Sequence, residues 1–566
     1  MKLIRWALIL PGMLVFSSLA TAQTLPPDVS KQVDKIFEKW DRHDSPGCAL
    51  GVYKDGKTIY KRGYGMANLN DDIPIIPSTV FHVASMSKQF TAASIVLLSQ
   101  QGRLSLDDDV RKYIPELPDF GEKIIIRHLV HHTSGLRDQW ALLGLAGWRY
   151  SLDLITDDDV MSVVTRQKEL NFKPGDRHIY CNTGYTLMGL IVKRVSGMSL
   201  REFTTKNIFE PLGMTHTHFR DDHAEIIKRN ALGYEQENKD KPFELSLTNF
   251  DTVGATSLHT TVEDLQLWDE NFYHPRVGGA AFIEQMLQTG TLNSGEQLDY
   301  AFGLVKGNYK GLPTVDHGGA DAGYRSDLTR FPDQHFSASV LCNSAETNPS
   351  ALVRQVADIV LAKEFKTPET AQPNEAPKTT AAKLNQEQMD ALAGIYWNRE
   401  DDSFERVLAK DGKLQIGLGG DVHPLKPAEE THFHVGDVPW GDMVDIHFLA
   451  ADQQKPKRFE QSFGGGKASV FEAATAFSPS ATELAEFTGA YVSEEIDPVY
   501  RIELKEGNLV LSRLKSKPDT LHPAVRDVFS GDIGTVRFTR DANQHISGFI
   551  LNAGRIQNFH FSRRNN

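Results

Sequence analysis

Apolar residues run almost without interruption over residues 90–98, and a stretch so rich in Ala and Leu predicts a buried helix that starts near residue 85. Upstream, residues 33–40 have the spacing of an amphipathic helix. Residues 47–57 alternate and close on Asp55-Gly56, a hairpin signature continued through residues 58–64. Lying just ahead of the residue-85 helix, this hairpin places the helix against a sheet. Residues 187–192 read as a helix following a Pro174-Gly175 turn, and residues 338–341 as a strand.

Past residue 380 the pattern becomes one of short alternating strands with Gly and Asp turns, and it occurs twice. Leu392-Ala393-Gly394-Ile395-Tyr396 parallels Phe487-Thr488-Gly489-Ala490-Tyr491, and Asp411-Gly412-Lys413-Leu414 parallels Glu506-Gly507-Asn508-Leu509, both at an offset of 95 residues. The copies, residues 386–478 and 479–566, suit two small antiparallel barrels. Residues 366–385 are polar and proline-bearing and read as a linker, leaving residues 23–365 as one larger domain. Residues 1–22 have Lys2 and Arg5 ahead of an apolar run that ends on Ala20-Thr21-Ala22, a secretory signal peptide cut before Gln23. The mature protein is therefore expected in the periplasm or outside the cell, with no membrane span left after cleavage.

Composition narrows the function. Hydrophobic content of 40% and charged content of 24% describe a globular chain, and a net charge of −13 argues against nucleic acid as a partner. Cys48, Cys181 and Cys342 are widely spaced, so neither a zinc site nor a disulfide framework is indicated; one disulfide is allowed but not required.

Three stretches carry candidate chemistry. Ser85 and Lys88 stand one turn apart near a helix start, where a lysine kept neutral by burial can take the serine proton. The same spacing at Ser512 and Lys515 falls on a strand-like stretch that puts the side chains on opposite faces. Tyr180 and Asn182 precede a helix, where the phenol could relay a proton and the amide could hold a substrate carbonyl. His317-Gly318-Gly319-Ala320 offers a histidine donor at the rim, glycines that let the backbone approach a ligand, and an Ala320 amide to pair with that of Ser85 as an oxyanion hole. The adjacent His131 and His132 lack a third ligand at metal spacing and are assigned capping and turn roles.

Together, Ser85-x-x-Lys88, Tyr180-x-Asn182 and His317-x-Gly319 resemble the serine β-lactamase and penicillin-recognising superfamily, in particular its class C β-lactamase-like hydrolases and peptidases, D-aminopeptidases (peptidase S12 type) among them. The resemblance covers about residues 30–365 and extends to Arg127-His128-Leu129-Val130-His131-His132-Thr133-Ser134-Gly135-Leu136 and Ile208-Phe209-Glu210-Pro211-Leu212-Gly213-Met214. It implies an α+β catalytic domain, an antiparallel sheet flanked by helices with a helical subdomain, followed by two lipocalin-like barrels. It also implies a Ser85 acyl-enzyme, base work shared by Lys88 and Tyr180, substrate held by Asn182, His317, Gly319 and Ala320, and no metal or organic cofactor. Class C β-lactamases carry Lys-Thr-Gly where this chain has His317-Gly318-Gly319, and a neutral imidazole anchors a carboxylate less well than an ammonium. The expectation is therefore an exported serine hydrolase of amides or esters, above all D-amino-acid-containing peptides. The alternatives are a short-chain carboxylesterase, a weak β-lactamase, or a cell-wall-peptide-binding protein with little turnover. By the same analogy a barrel loop reaches over the active site and selects substrates.

Overall fold

A computed structural model describes residues 24–238, 240–365 and 384–564, apart from short segments at 419–420, 429–430, 439–440, 442–443, 450–455 and 464–467. The signal peptide and most of the linker expected from the sequence lie outside the described residues. None of the described helices is long and apolar enough to cross a membrane.

The first domain is built on a six-stranded antiparallel sheet. Its hairpin, β1 (Cys48–Lys54) and β2 (Lys57–Tyr64), turns on Asp55 and Gly56, which take φ of 48° and 72°. Two successive left-handed residues match the right-handed twist of the flanking strands. The other four strands come from much later in the chain: β3 (Val305–Tyr309), β4 (Leu312–Asp321), β5 (Tyr324–Phe331) and β6 (Phe336–Cys342), in the order β3-β4-β5-β6-β1-β2.

Alternation along β1 feeds two layers. Cys48, Leu50 and Val52 pack with Val33 and Phe37 of α1 (Pro27–Phe37) and with Leu352, Val353 and Val356 of a C-terminal helix (Pro349–Val360). Ala49 and Tyr53 face the opposite side, where the core continues through α2 (Lys88–Gln100) into the helical region. Helix α1 begins earlier than its apolar spacing predicts, because Pro27 has the φ a first turn needs and lacks only an N–H that would be unpaired there. Cys48 lies directly opposite Cys342 in the β1–β6 register, and the two form a disulfide; Cys181 is a buried free thiol.

The C-terminal repeats are two closed eight-stranded antiparallel barrels, residues 394–474 and 489–563. Both are filled. The first encloses Tyr396, Phe448, Phe459 and Phe471, the second Tyr491, Phe538, Phe549 and Phe561, with ring centroids as close as 4.9 Å (Phe459–Phe471) and 4.5 Å (Phe549–Phe561). The second barrel shares its hydrophobic cluster with the first domain. It is joined to it by a buried ion pair, Arg137–Glu495 at 2.6 Å, and by Tyr500 Oη donating to the Leu145 carbonyl at 2.9 Å. Ser512 ends a strand (Asn508–Ser512), whereas Lys515 sits in the following turn with φ 55° and lies 3.4 Å from Asp153. That second Ser-x-x-Lys is a strand end and a surface turn.

Candidate active site

Between residues 81 and 98 every side chain is buried except one, Ser85. It lies in a tight turn (Ala84–Ser87) that leads into α2, and Ala84, just before it, is held at φ 49°. A left-handed alanine costs of order 1–3 kcal/mol and persists only where its surroundings hold it. Lys88, fully buried, opens α2 and directs Nζ at three oxygens: Ser85 Oγ at 3.0 Å, Asn182 Oδ1 at 2.9 Å and the Ala255 carbonyl at 2.7 Å. Burial, with help from the Arg555 charge and against the pull of Asp138 and Asp321, brings the Lys88 pKa down to about 7. A neutral amine here keeps two N–H bonds for Asn182 and Ala255 and turns its lone pair toward Ser85 Oγ–H.

Tyr180 and Asn182 come from the entry to a long helix, α4 (Asn182–Ser196), in the loop-before-helix setting the sequence predicts. The Tyr180 ring lies 4.9 Å from Lys88 Nζ, and burial pushes its hydroxyl pKa up, so it stays a phenol. Asn182 is held more firmly than a free substrate ligand. Its Nδ2 donates to Asp138 Oδ2 at 2.9 Å, its backbone N–H donates to the same oxygen at 2.7 Å, and its Oδ1 accepts from Lys88. Asp138, 1% exposed, caps a short helix, α3 (Gln139–Leu145), through Trp140 N–H.

Strand β4 differs in two respects from expectation. A Cβ at Gly319 would stand 2.3 Å from the Val83 carbonyl oxygen and 3.0 Å from the Ala84 Cβ. The close approach is thus made by the turn that carries Ser85, and it brings Ala320 alongside that turn. His317 is no rim donor: it is buried, with Nδ1 donating to the Gly318 carbonyl at 2.6 Å and Nε2 taking the Tyr300 hydroxyl at 3.1 Å. Burial brings its pKa down to about 4, which keeps it neutral.

Three residues of the site escaped the sequence reading. His132 packs against Tyr180, ring centroids 4.2 Å apart and planes tilted by 36°, and its Nδ1 accepts from Cys181 N–H at 3.0 Å. Burial holds its pKa well below the usual range. A ring that packs against another side chain leaves no ligand spacing to find. Asp138 is the second. The third is Arg555, from the turn between two strands of the second barrel (Ile546–Ala553 and Ile556–Arg563), whose guanidinium lies 4.8 Å from the Tyr180 ring centroid and 3.7 Å from Asp138 Oδ2. The turn is clamped: Asn171 Nδ2 donates to the Arg555 carbonyl at 2.9 Å, and the Arg137 guanidinium donates to the carbonyls of Gln557 and Asn558. A barrel segment therefore does reach the site. Among the described residues, Asp222, His223 and Asp251 form a surface group with metal-ligand proximity, but none of the three touches the Ser85 cluster.

Known proteins resemble this chain over most of its length. The chain is 29% identical over 422 residues to penicillin-binding protein 4* of Bacillus subtilis (strain 168), an alignment spanning 71% of this chain and 91% of that protein. It is 27% identical over 469 residues to D-aminopeptidase of Gluconobacter oxydans (strain 621H), spanning 82% and 83%. The solved structure of the octameric penicillin-binding protein homologue from Pyrococcus abyssi superposes with a TM-score of 0.55 at 26% identity, covering 79% of this chain and 100% of that one. A family model described as Beta-lactamase matches residues 33–363, through Ser85, Lys88, Tyr180, Asn182 and β4 alike. The chain belongs to the Beta-lactamase family.

Proposed function

We propose that the protein is an exported, periplasmic or secreted, serine hydrolase that acts through a Ser85 acyl-enzyme on amides or esters, most readily those containing D-amino acids. The observation that carries this reading is the buried Lys88 amine 3.0 Å from Ser85 Oγ with its pKa near 7. Neutral Lys88 takes the Ser85 proton as Oγ attacks the carbonyl, and the Ser85 and Ala320 amides receive the oxyanion. The Lys88 ammonium returns the proton to the leaving amine or alcohol through the Tyr180 hydroxyl, and water then hydrolyses the acyl-enzyme. The relative named D-aminopeptidase supports the D-amino-acid preference, and the apolar N-terminal run supports export.

Arg555 favours a second reading, in which the substrate carries a carboxylate beside Tyr180 in place of a free amine. Both readings are tested on one chromogenic panel: a D-alanine anilide, its L counterpart, a short-chain ester, a cephalosporin, and a D-amino-acid peptide as free acid and as C-terminal amide. We expect turnover that is abolished in Ser85→Ala, strongest on a D-substrate, with the free acid preferred if Arg555 reads a carboxylate. Turnover that survives Ser85→Ala, or binding without turnover across the panel, would overturn the hydrolase.

A further inference from the structure

We propose that Asp138 is a positioning residue of the Ser85 reaction, fixing the Asn182 amide so that its oxygen faces Lys88 and holds the base in line with the nucleophile. The inference rests on the hydrolase reading for its kinetics but not for its geometry.

Hydrogen-bond donors converge on the Asp138 carboxyl group. Asp138 Oδ1 accepts Trp140 N–H at 3.0 Å, while Oδ2 accepts Asn182 N–H at 2.7 Å and Asn182 Nδ2–H at 2.9 Å. Every one of these partners is a donor, so both oxygens act as acceptors, and asparagine, the amide of the same size, offers only one acceptor oxygen. The consequence for Asn182 is directional. With Nδ2 drawn to the carboxylate, Oδ1 is turned to Lys88 Nζ at 2.9 Å; a flipped amide would set Nδ2–H against the carboxylate's competitor, the lysine, and leave two donors facing. Asp138 thus acts through another residue.

Asparagine in place of Asp138 would keep the shape and lose one acceptor. Its amide nitrogen would have to confront either Trp140 N–H or the Asn182 pair. Helix caps tolerate asparagine as well as aspartate, so the cost falls on Asn182.

The charged groups that face Lys88 are Asp138 from the start of α3, Asp321 from the end of β4 and Arg555 from the barrel turn, with Tyr180, Cys181, Tyr185, His132 and His317 beside it uncharged. Asp138 is the larger of the two anionic influences and favours the ammonium. Its neutralisation therefore has a second signature besides misplacement, a lower titration midpoint at Lys88.

The test uses the full chain with Asp138→Asn, Asn182→Ala and the double variant. In Asp138→Asn we expect kcat to fall about a hundredfold, the scale of a catalytic group displaced by an ångström, with a smaller change in KM. The double variant should be no slower than Asn182→Ala alone, because the aspartate acts through the asparagine. The rising limb of kcat/KM against pH should move to lower pH. A merely structural role would reduce the active fraction and leave that limb in place. Additive effects of the two substitutions, or an unmoved limb, would overturn the proposal. If no panel substrate is turned over, the hydrolase reading fails by itself, and the Lys88 midpoint is followed instead by NMR of protein with labelled lysine side chains. A downward shift in Asp138→Asn supports the proposal there, and an unchanged midpoint overturns it.

Discussion

A lysine at a protein surface keeps its proton well past neutrality; Lys88 gives it up near pH 7 because every side of its head group is protein. The neutral form is the base, so kcat/KM should rise with pH through a midpoint of about 7. Replacing Arg555 by methionine removes a neighbouring positive charge and should move that limb upward. The same shift has a sign in stability. The unfolded chain holds the Lys88 proton up to the free-lysine value of about 10.4, the folded chain only to about 7, so stability from this group grows as pH rises across that window. Lys88→Met should flatten the rise in Tm between pH 7 and pH 10; an equal slope in both proteins would place Lys88 in a wetter setting than described. Ser85, Lys88 and Tyr180 were legible in the sequence because their chemistry depends on local spacing at helix entrances. His132, Asp138 and Arg555 were not, because a ring packed against a distant tyrosine, a carboxylate 44 residues from the asparagine it holds and a side chain from another domain leave no local period.

At the scale of elements, the hairpin, the helix entrances and the doubled β-unit were all readable from alternation and turn residues. The glycines of β4 are expected to let the backbone approach a ligand, and in the fold Gly319 has a further neighbour within the protein. Gly319 makes room for the Val83–Ala84 backbone, a partner that the strand's own sequence cannot announce. Gly319→Ala should therefore damage the nucleophile's turn before it affects any substrate contact. A methyl 2.3 Å from a carbonyl oxygen must push the turn away, and we expect loss of at least about 2 kcal/mol of stability together with Ser85-dependent turnover. Thermal melts and panel rates check this together; a variant with unchanged Tm and a raised KM alone would return Gly319 to the ligand. The amides proposed to hold the oxyanion, those of Ser85 and Ala320, each follow directly on a residue of this contact, Ala84 and Gly319.

Across the whole molecule, the second barrel is fastened where the site is most sensitive. Arg137 and Glu495 are 2% and 4% exposed, and Arg137 also binds the carbonyls that lead out of the Arg555 turn. Removing one partner of a buried pair strands the other, at a cost of about 3–5 kcal/mol, so Glu495→Gln should lower Tm and reduce turnover together. A loss of neither would show that the barrel docks by its apolar face alone. The sequence showed that barrels follow the catalytic domain but not where they dock, because Arg137 and Glu495 lie 358 residues apart and neither belongs to a pattern.

The sheet itself imposes an order of assembly. The partner of β1 on one edge, β2, is complete by residue 64, but its other edge waits for β6, and Cys48 finds Cys342 only across a separation of 294 residues. Until then the first hairpin stands with one edge open, the helices on both faces have nothing finished to pack against, and the turn bearing Ser85 has no β4 beside it. A fragment ending before the last sheet strand therefore lacks part of the sheet against which the Ser85 turn is set, and that setting is complete only after about three fifths of the chain has been made.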